Sequence, residues 1–234
     1  MQLCKLIKTA SREANALAVG ATILLLVKIL FLNRYPSKFF GAYDLGVIVE
    51  AVLASVVASY VFYFLVVHVK EQSDRVALRP YVEKHTKRVI GDCISQIGGV
   101  SKESGVVLNF NTLTEADVYS AFAKIAPYSN APLLISVQPN QYANWFQYFI
   151  FHESRSKESI RKLFAQLPFL DATHVSSLTV IDDCVHFAGL SVLLNNRVSN
   201  PDLTAWAKSF YEYSLLCREL NSHLVRLGFS SVEP

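Results

Sequence analysis

Cysteine is sparse and scattered in this sequence. Its four copies, Cys4, Cys93, Cys184 and Cys217, form no CxxC pair and no metal-type spacing, which excludes the usual redox and zinc-knuckle motifs. They read as reduced thiols, buried as small apolar residues. Charge is thin as well. Only 18% of residues are charged and the formal net charge is +3, too little for a dedicated nucleic-acid binder. There is no glycine-rich phosphate loop, no GxSxG elbow and no HExxH pair. Nothing in the pattern asks for a cofactor or a resident metal, and no catalytic signature stands out. Internal repeats and low-complexity tracts are missing too.

Hydrophobicity is what the chain has in excess, at 52% of residues with a mean hydropathy of +0.29. Most of it lies in two runs near the N-terminus, Ala14 to Leu32 and Leu45 to Val69. Each is close to the ~20 residues a helix needs to cross ~30 Å of hydrocarbon. A short segment, Asn33 to Asp44, joins them. The expected fold is mostly α: residues 1–70 form an N-terminal stub and a two-helix transmembrane hairpin, and residues 71–234 a cytosolic helical bundle.

Positive flanks set the orientation. Lys5, Lys8 and Arg12 precede the first run. Lys70, Arg75, Arg79, Lys84, Lys87 and Arg88 follow the second. The joining loop holds only Arg34 and Lys38, with Tyr35, Phe39, Phe40 and Tyr43 suited to an interfacial aromatic belt. Both termini are therefore expected on the cytoplasmic side of the membrane. The first run is long, lacks a small-x-small cleavage site and is followed by a second, so it reads as an uncleaved anchor.

Each run carries one charge, Lys28 in the first and Glu50 in the second. Lys28 lies ~7–8 Å of helix rise before Asn33, and Glu50 ~9 Å after Asp44. In an antiparallel hairpin they share a depth. A lone charge at mid-bilayer costs ~2.5–3.5 kcal/mol, so the two are expected either to pair and lock the hairpin or to serve a pore or relay. Ala51, Ser55 and Ser59 recur every four residues on the second run, with Gly20 and Ala16 on the first. Such small-residue faces let helices approach closely, within a chain or between copies, so a homo-oligomer is one expectation.

Further on, Pro80 is expected to kink or end a helix running from Lys70, and Gly98-Gly99 to stop a second over Tyr81–Ile97. Thr114-Glu115-Ala116-Asp117 opens a helix towards Ala126. Val106–Phe110 and Leu133–Val137 read as strands or extended connectors. Tyr142, Trp145, Phe146 and Phe149 predict one apolar face of a helix over Gln141–His152, read as core in preference to a membrane or partner surface. Helices are also expected over Ser156–Leu167 and from Asp171 to Asn195. Asn200-Pro201-Asp202 should start a last one that ends at Leu227-Gly228, with Phe210, Tyr213, Leu216, Cys217, Leu220 and Leu224 as its buried stripe.

Three weaker constellations remain. Arg218 and His223 match the Arg-x4-6-His spacing of HEPN-type ribonucleases, which are helical bundles, although Glu219 stands where that family commonly has Asn, Asp or His. Asp182 and His186, four apart, offer a two-ligand metal arm or a simple ion pair. Lys84, Lys87 and Arg88 form a basic run facing headgroups or a partner's phosphates.

The layout of two apolar runs, a short outer loop and a helical domain of this size resembles the two-transmembrane-helix effectors of bacterial anti-phage systems, those linked to retrons in particular. The Leu167-Pro168-Phe169-Leu170 turn is similar to turns in bacterial proteins of this layout. The resemblance is one of architecture. It implies a non-enzymatic effector held silent by a reverse transcriptase with its RNA–DNA product, then released to damage the inner membrane. A membrane-tethered ribonuclease and a passive anchor are the alternatives.

Overall fold

Helices make up 75% of the computed structural model, with little sheet. It describes residues 11–34, 42–193 and 198–233. Lys5, Lys8, Tyr35, Lys38, Phe39 and Phe40, on which part of the topology reading rests, lie outside that set, as does Cys4. The chain divides into two units, Met1–Ala77 and Leu78–Pro234.

In the first unit, α1 (Arg12–Leu30) begins where Ser11 accepts a hydrogen bond from the Ala14 amide at 3.2 Å. α2 (Ala42–Phe62) lies antiparallel against it. Neither helix has a polar face in the usual sense. Ala18 and Ala21 are buried, while Leu17, Ile23, Leu24, Val52 and many like them point outward. Only 11% of the most apolar window of α1 is buried, the same as for the window that includes α2. A wide-turn π-helical segment, Tyr63–His68, carries α2 into α3 (Val69–Ser104).

α3 corrects two expectations. It runs through Pro80 and past Gly98-Gly99. A proline removes one helical N–H, but directly after it Val82, Val89, Ile90, Cys93, Ile97 and Val100 form a buried face at helical spacing that holds the rest of the helix to the core. Gly99 is there for contact rather than termination. A Cβ at that position would sit 2.9 Å from the Tyr148 hydroxyl and 3.2 Å from Pro132 Cγ. The helix ends instead at Gly105, whose φ is +67°.

α4 (Glu115–Phe122) opens with a capping box between Thr114 and Asp117 and stops short of Ala126. Val106–Phe110 is an irregular connector that ends in a turn, held to α3 where Ser101 Oγ donates to the Val106 carbonyl and accepts from the Leu108 amide. Leu133–Ser136 falls within β1 (Asn130–Ser136), paired antiparallel with β2 (Gln141–Asn144). The predicted helix over Gln141–His152 therefore starts late, as α5 (Trp145–Phe164). Asn144 and Gln147 form its capping box, which places Tyr142 on the strand, half exposed, off the aromatic face. α5 also absorbs most of Ser156–Leu167, because Ser156, Ser159, Ile160 and Leu163 continue its buried side.

The long helix expected from Asp171 is two, α6 (Ala172–Asp182) and α7 (Val185–Leu193). The chain turns at Asp183-Cys184, where the Cys184 amide drops back to the Ile181 carbonyl and the Cys184 carbonyl starts the next ladder. α8 (Ala207–Arg226) begins later than Pro201, because Asp202 takes the Thr204 amide and hydroxyl in a local turn. It ends as expected at Gly228, with φ +77°, whose amide reaches Val225 while Phe229 reaches Leu224. The core of this unit joins Ile90, Cys93 and Ile97 to Phe122, Trp145, Phe149, Phe187, Phe210, Tyr213 and Leu220.

Candidate functional site

The hairpin seam is built from small residues in the middle and polar pairs at its ends. Ala18 and Ala21 let the helices close on each other. At one end the Lys28 ammonium pairs with the Glu50 carboxylate, their side chains 13% and 38% exposed. Gly46, one turn before Glu50, lies beside the Lys28 stem; a Cβ there would meet Lys28 Cε at 3.5 Å, an ordinary contact. At the other end Tyr60 Oη donates to Asn15 Oδ1. On α2 the inward positions are Gly46, Glu50, Leu53, Val57 and Tyr60, spaced alternately four and three apart as close helix pairing requires.

The small-residue stripe lies elsewhere. Ala51, Ser55 and Ser59 are exposed on the outside of α2. Ser55 and Ser59, with Leu17 and Tyr60, line a groove of about 300 Å³. Gly20 is half-buried, and a Cβ there would meet nothing within 4 Å.

The basic residues of α3 are unequal. Lys84 is exposed. Lys87 bridges Glu83 at 2.7 Å and donates to Ser230. Arg88 is half-buried. Burial, then Lys162, Lys84 and Arg88, hold the His85 imidazole below its ordinary pKa.

Arg218 and His223 take different partners. Arg218, half-buried, donates to the Asn111 carbonyl at 2.8 Å, while His223 is 6% exposed and faces the Asp171 carboxylate at 3.3 Å. The Asp182–His186 pairing rests on a shared helix, which the break at Asp183-Cys184 removes. His186 is buried in aromatic rings, with neither ring nitrogen hydrogen-bonded. Desolvation depresses its pKa to about 3.

Sequence reading passed over one cluster. Asp171, His174 and His223 each offer a ligating atom, all within 4.8 Å of one another, the only such trio among the described residues. Asp171 caps α6, accepting from the His174 amide at 3.0 Å. Burial opposes ionisation of its carboxyl, but the His174 amide and the His223 ring outweigh that and hold its pKa below the ordinary value. Burial takes His174 down to about 4. The signal in the sequence was Asp-x-x-His at a helix start; His223, 52 positions from Asp171, joins it only through the fold.

A second polar knot sits in the core. Asp92 Oδ1 is 2.9 Å from His152 Nδ1 and 3.3 Å from Arg155 Nε. Among the described residues three stretches, Arg12–Leu30, Tyr43–Ser104 in part and Ala172–Leu193, are long and apolar enough to cross a membrane. The third is broken between α6 and α7 and sends Leu178, Ile181, Phe187 and Leu190 into the core. Compared with known protein families, curated proteins and solved structures, the chain matches none.

Proposed function

We propose that this protein is a membrane effector of a bacterial anti-phage system that permeabilises the inner membrane once released by its partner. The observation that carries the reading is the α1–α2 hairpin, apolar on its outside and held by an ion pair on its inside. A water-facing pair of helices would have the opposite pattern. Arg12, Lys70, Arg75 and Arg79 flank the apolar stretches and favour cytoplasmic termini. The exposed Ala51–Ser55–Ser59 stripe, of which Ser55 and Ser59 border a groove at the edge of the seam, suits contact between hairpins in a homo-oligomer.

Lys28 and Glu50 are the switch in this reading. Within one chain they neutralise each other; in an assembly each can exchange its partner for that of a neighbouring copy. The silencing partner, by resemblance, is a reverse transcriptase with its RNA–DNA product. The chain acts without catalysis.

The test is to express the chain alone, beside Lys28→Leu and Glu50→Leu variants, and record membrane potential and growth. Depolarisation by the native chain, changed in both variants, supports the effector. Full depolarisation in both variants rejects the switch. No toxicity at all favours a passive anchor, and degraded cellular RNA that persists in Lys28→Leu but is lost in His223→Ala favours a ribonuclease.

A further inference from the structure

We propose that Asp171, His174 and His223 form a binding site for a divalent cation of the zinc type, held by one carboxylate oxygen and two imidazole nitrogens, with water completing the shell. This is separate from the hairpin and independent of what the hairpin does.

Hydrogen bonding fixes the protons. The Thr86 hydroxyl lies 2.9 Å from the Val82 carbonyl one turn back, which can only accept, so Thr86 donates to it. Thr86 Oγ1 then has only lone pairs left for His174 Nε2, 3.0 Å away. His174 is therefore the donor there, its proton is on Nε2, and Nδ1 carries a bare lone pair. That Nδ1 is buried, on a residue 1% exposed, and has no hydrogen-bond partner. A buried acceptor without a donor is costly, and an ion relieves it. The arrangement is that of a metal ligand whose second nitrogen is oriented by an outer hydroxyl.

The other two ligands stand ready. His223 Nε2 lies 3.3 Å from the Asp171 carboxylate, close to the ~3.4 Å between ligand atoms around a tetrahedral ion with ~2.0–2.1 Å bonds. A ring nitrogen of His174 lies within 4.8 Å of both, so a small side-chain rotation brings its unprotonated Nδ1 to the ion and closes the site. On binding, His223 takes its Nδ1–H form and turns the Nε2 lone pair to the ion. Burial keeps His174 neutral at pH 7, as a ligand must be. Two imidazoles and a carboxylate suit zinc better than magnesium or calcium, which prefer oxygen. Asp171 is 42% exposed on its side chain, which gives the ion a way in and leaves room for water. The ion would tie the start of α6 to the last turn of α8.

The full chain, purified in detergent and stripped with a chelator, is titrated with Co²⁺ alone and then Zn²⁺ alone. The expected result is one Co²⁺ per chain, with visible d–d bands, no sulfur charge-transfer band, and displacement by Zn²⁺. Asp171→Asn keeps the helix cap and should weaken binding by about a hundredfold or more; His223→Gln should do the same. Thr86→Val, which touches no ion, should weaken it about 10- to 100-fold. No binding by the folded native chain, an unchanged affinity in Asp171→Asn, or a thiolate band would each overturn the site. Should His223→Gln fail to fold, Asp171→Asn decides.

Discussion

Lys28 and Glu50, 22 positions apart, meet across the seam of α1 and α2 as an ion pair. Removing one partner leaves the other charge in an apolar setting, at ~2.5–3.5 kcal/mol on insertion scales. On the membrane reading proposed above, Lys28→Leu and Glu50→Leu should each reduce the membrane-inserted fraction. The double variant should insert at least as well as either single, and the swap Lys28→Glu with Glu50→Lys should recover most of the native level. A glycosylation-site insertion assay reads all four. Additive losses in the double variant would mean that the pair is not coupled in the bilayer.

Asp92 collects His152 and Arg155 in the core and is 2% exposed. Asp92→Ala leaves a buried histidine without its hydrogen-bond partner and a guanidinium without its counter-ion. The expected loss is about 3–5 kcal/mol of unfolding free energy. Trp145 and Trp206 both belong to the Leu78–Pro234 unit, so tryptophan fluorescence during denaturation reports on that unit alone. A loss below ~1 kcal/mol would show the knot to be solvated.

Gly99 lies against the Tyr148 ring, and Tyr148 Oη donates to the Ser95 carbonyl at 2.8 Å. Gly99→Ala should push the ring away and break that bond, at about 1–3 kcal/mol despite the better helix propensity of alanine. Adding Tyr148→Phe removes the clashing oxygen, so the double variant should lose less than the two singles combined. Strict additivity would place the strain elsewhere, on Pro132.

The two apolar helices, and the approach of Lys28 to Glu50, were legible because a single helix pair has only one register to satisfy. The same holds for Thr114 and Gly228, whose roles are set within one turn of chain. What failed were stop signals read without their surroundings. Pro80 and Gly98-Gly99 do not interrupt α3, because its buried face and the approach of Tyr148 act from other elements. Conversely, no breaker residue marks Asp183-Cys184, where the chain turns so that both Ile181 and Phe187 reach the core. The Asp171–His174–His223 trio was illegible for the same reason: α6 and α8 must pack before its third member arrives.

Acid should weaken the Leu78–Pro234 unit, and the sign follows from its histidines. His174 and His186 have folded pKa values of about 4 and about 3, against 6.5 when solvated, because burial disfavours their charged forms. Above 6.5 they are neutral folded or unfolded and cost nothing. Below it the unfolded chain takes up protons that the folded chain refuses, so stability falls with pH towards 4. Each unit of depression is about 1.4 kcal/mol, so the total is on the order of several kcal/mol. Asp171 adds a later loss, below its solvated value of 3.8, since its ionised form is favoured in the fold. His186 has no hydrogen bond to lose and sits among Phe149, Phe210 and Tyr213. His186→Leu should therefore flatten the pH dependence while keeping or raising stability at pH 7. The measurement is unfolding free energy by tryptophan fluorescence across the acid range. An equally steep decline in that variant would mean that His186 is reached by water and titrates normally in the fold.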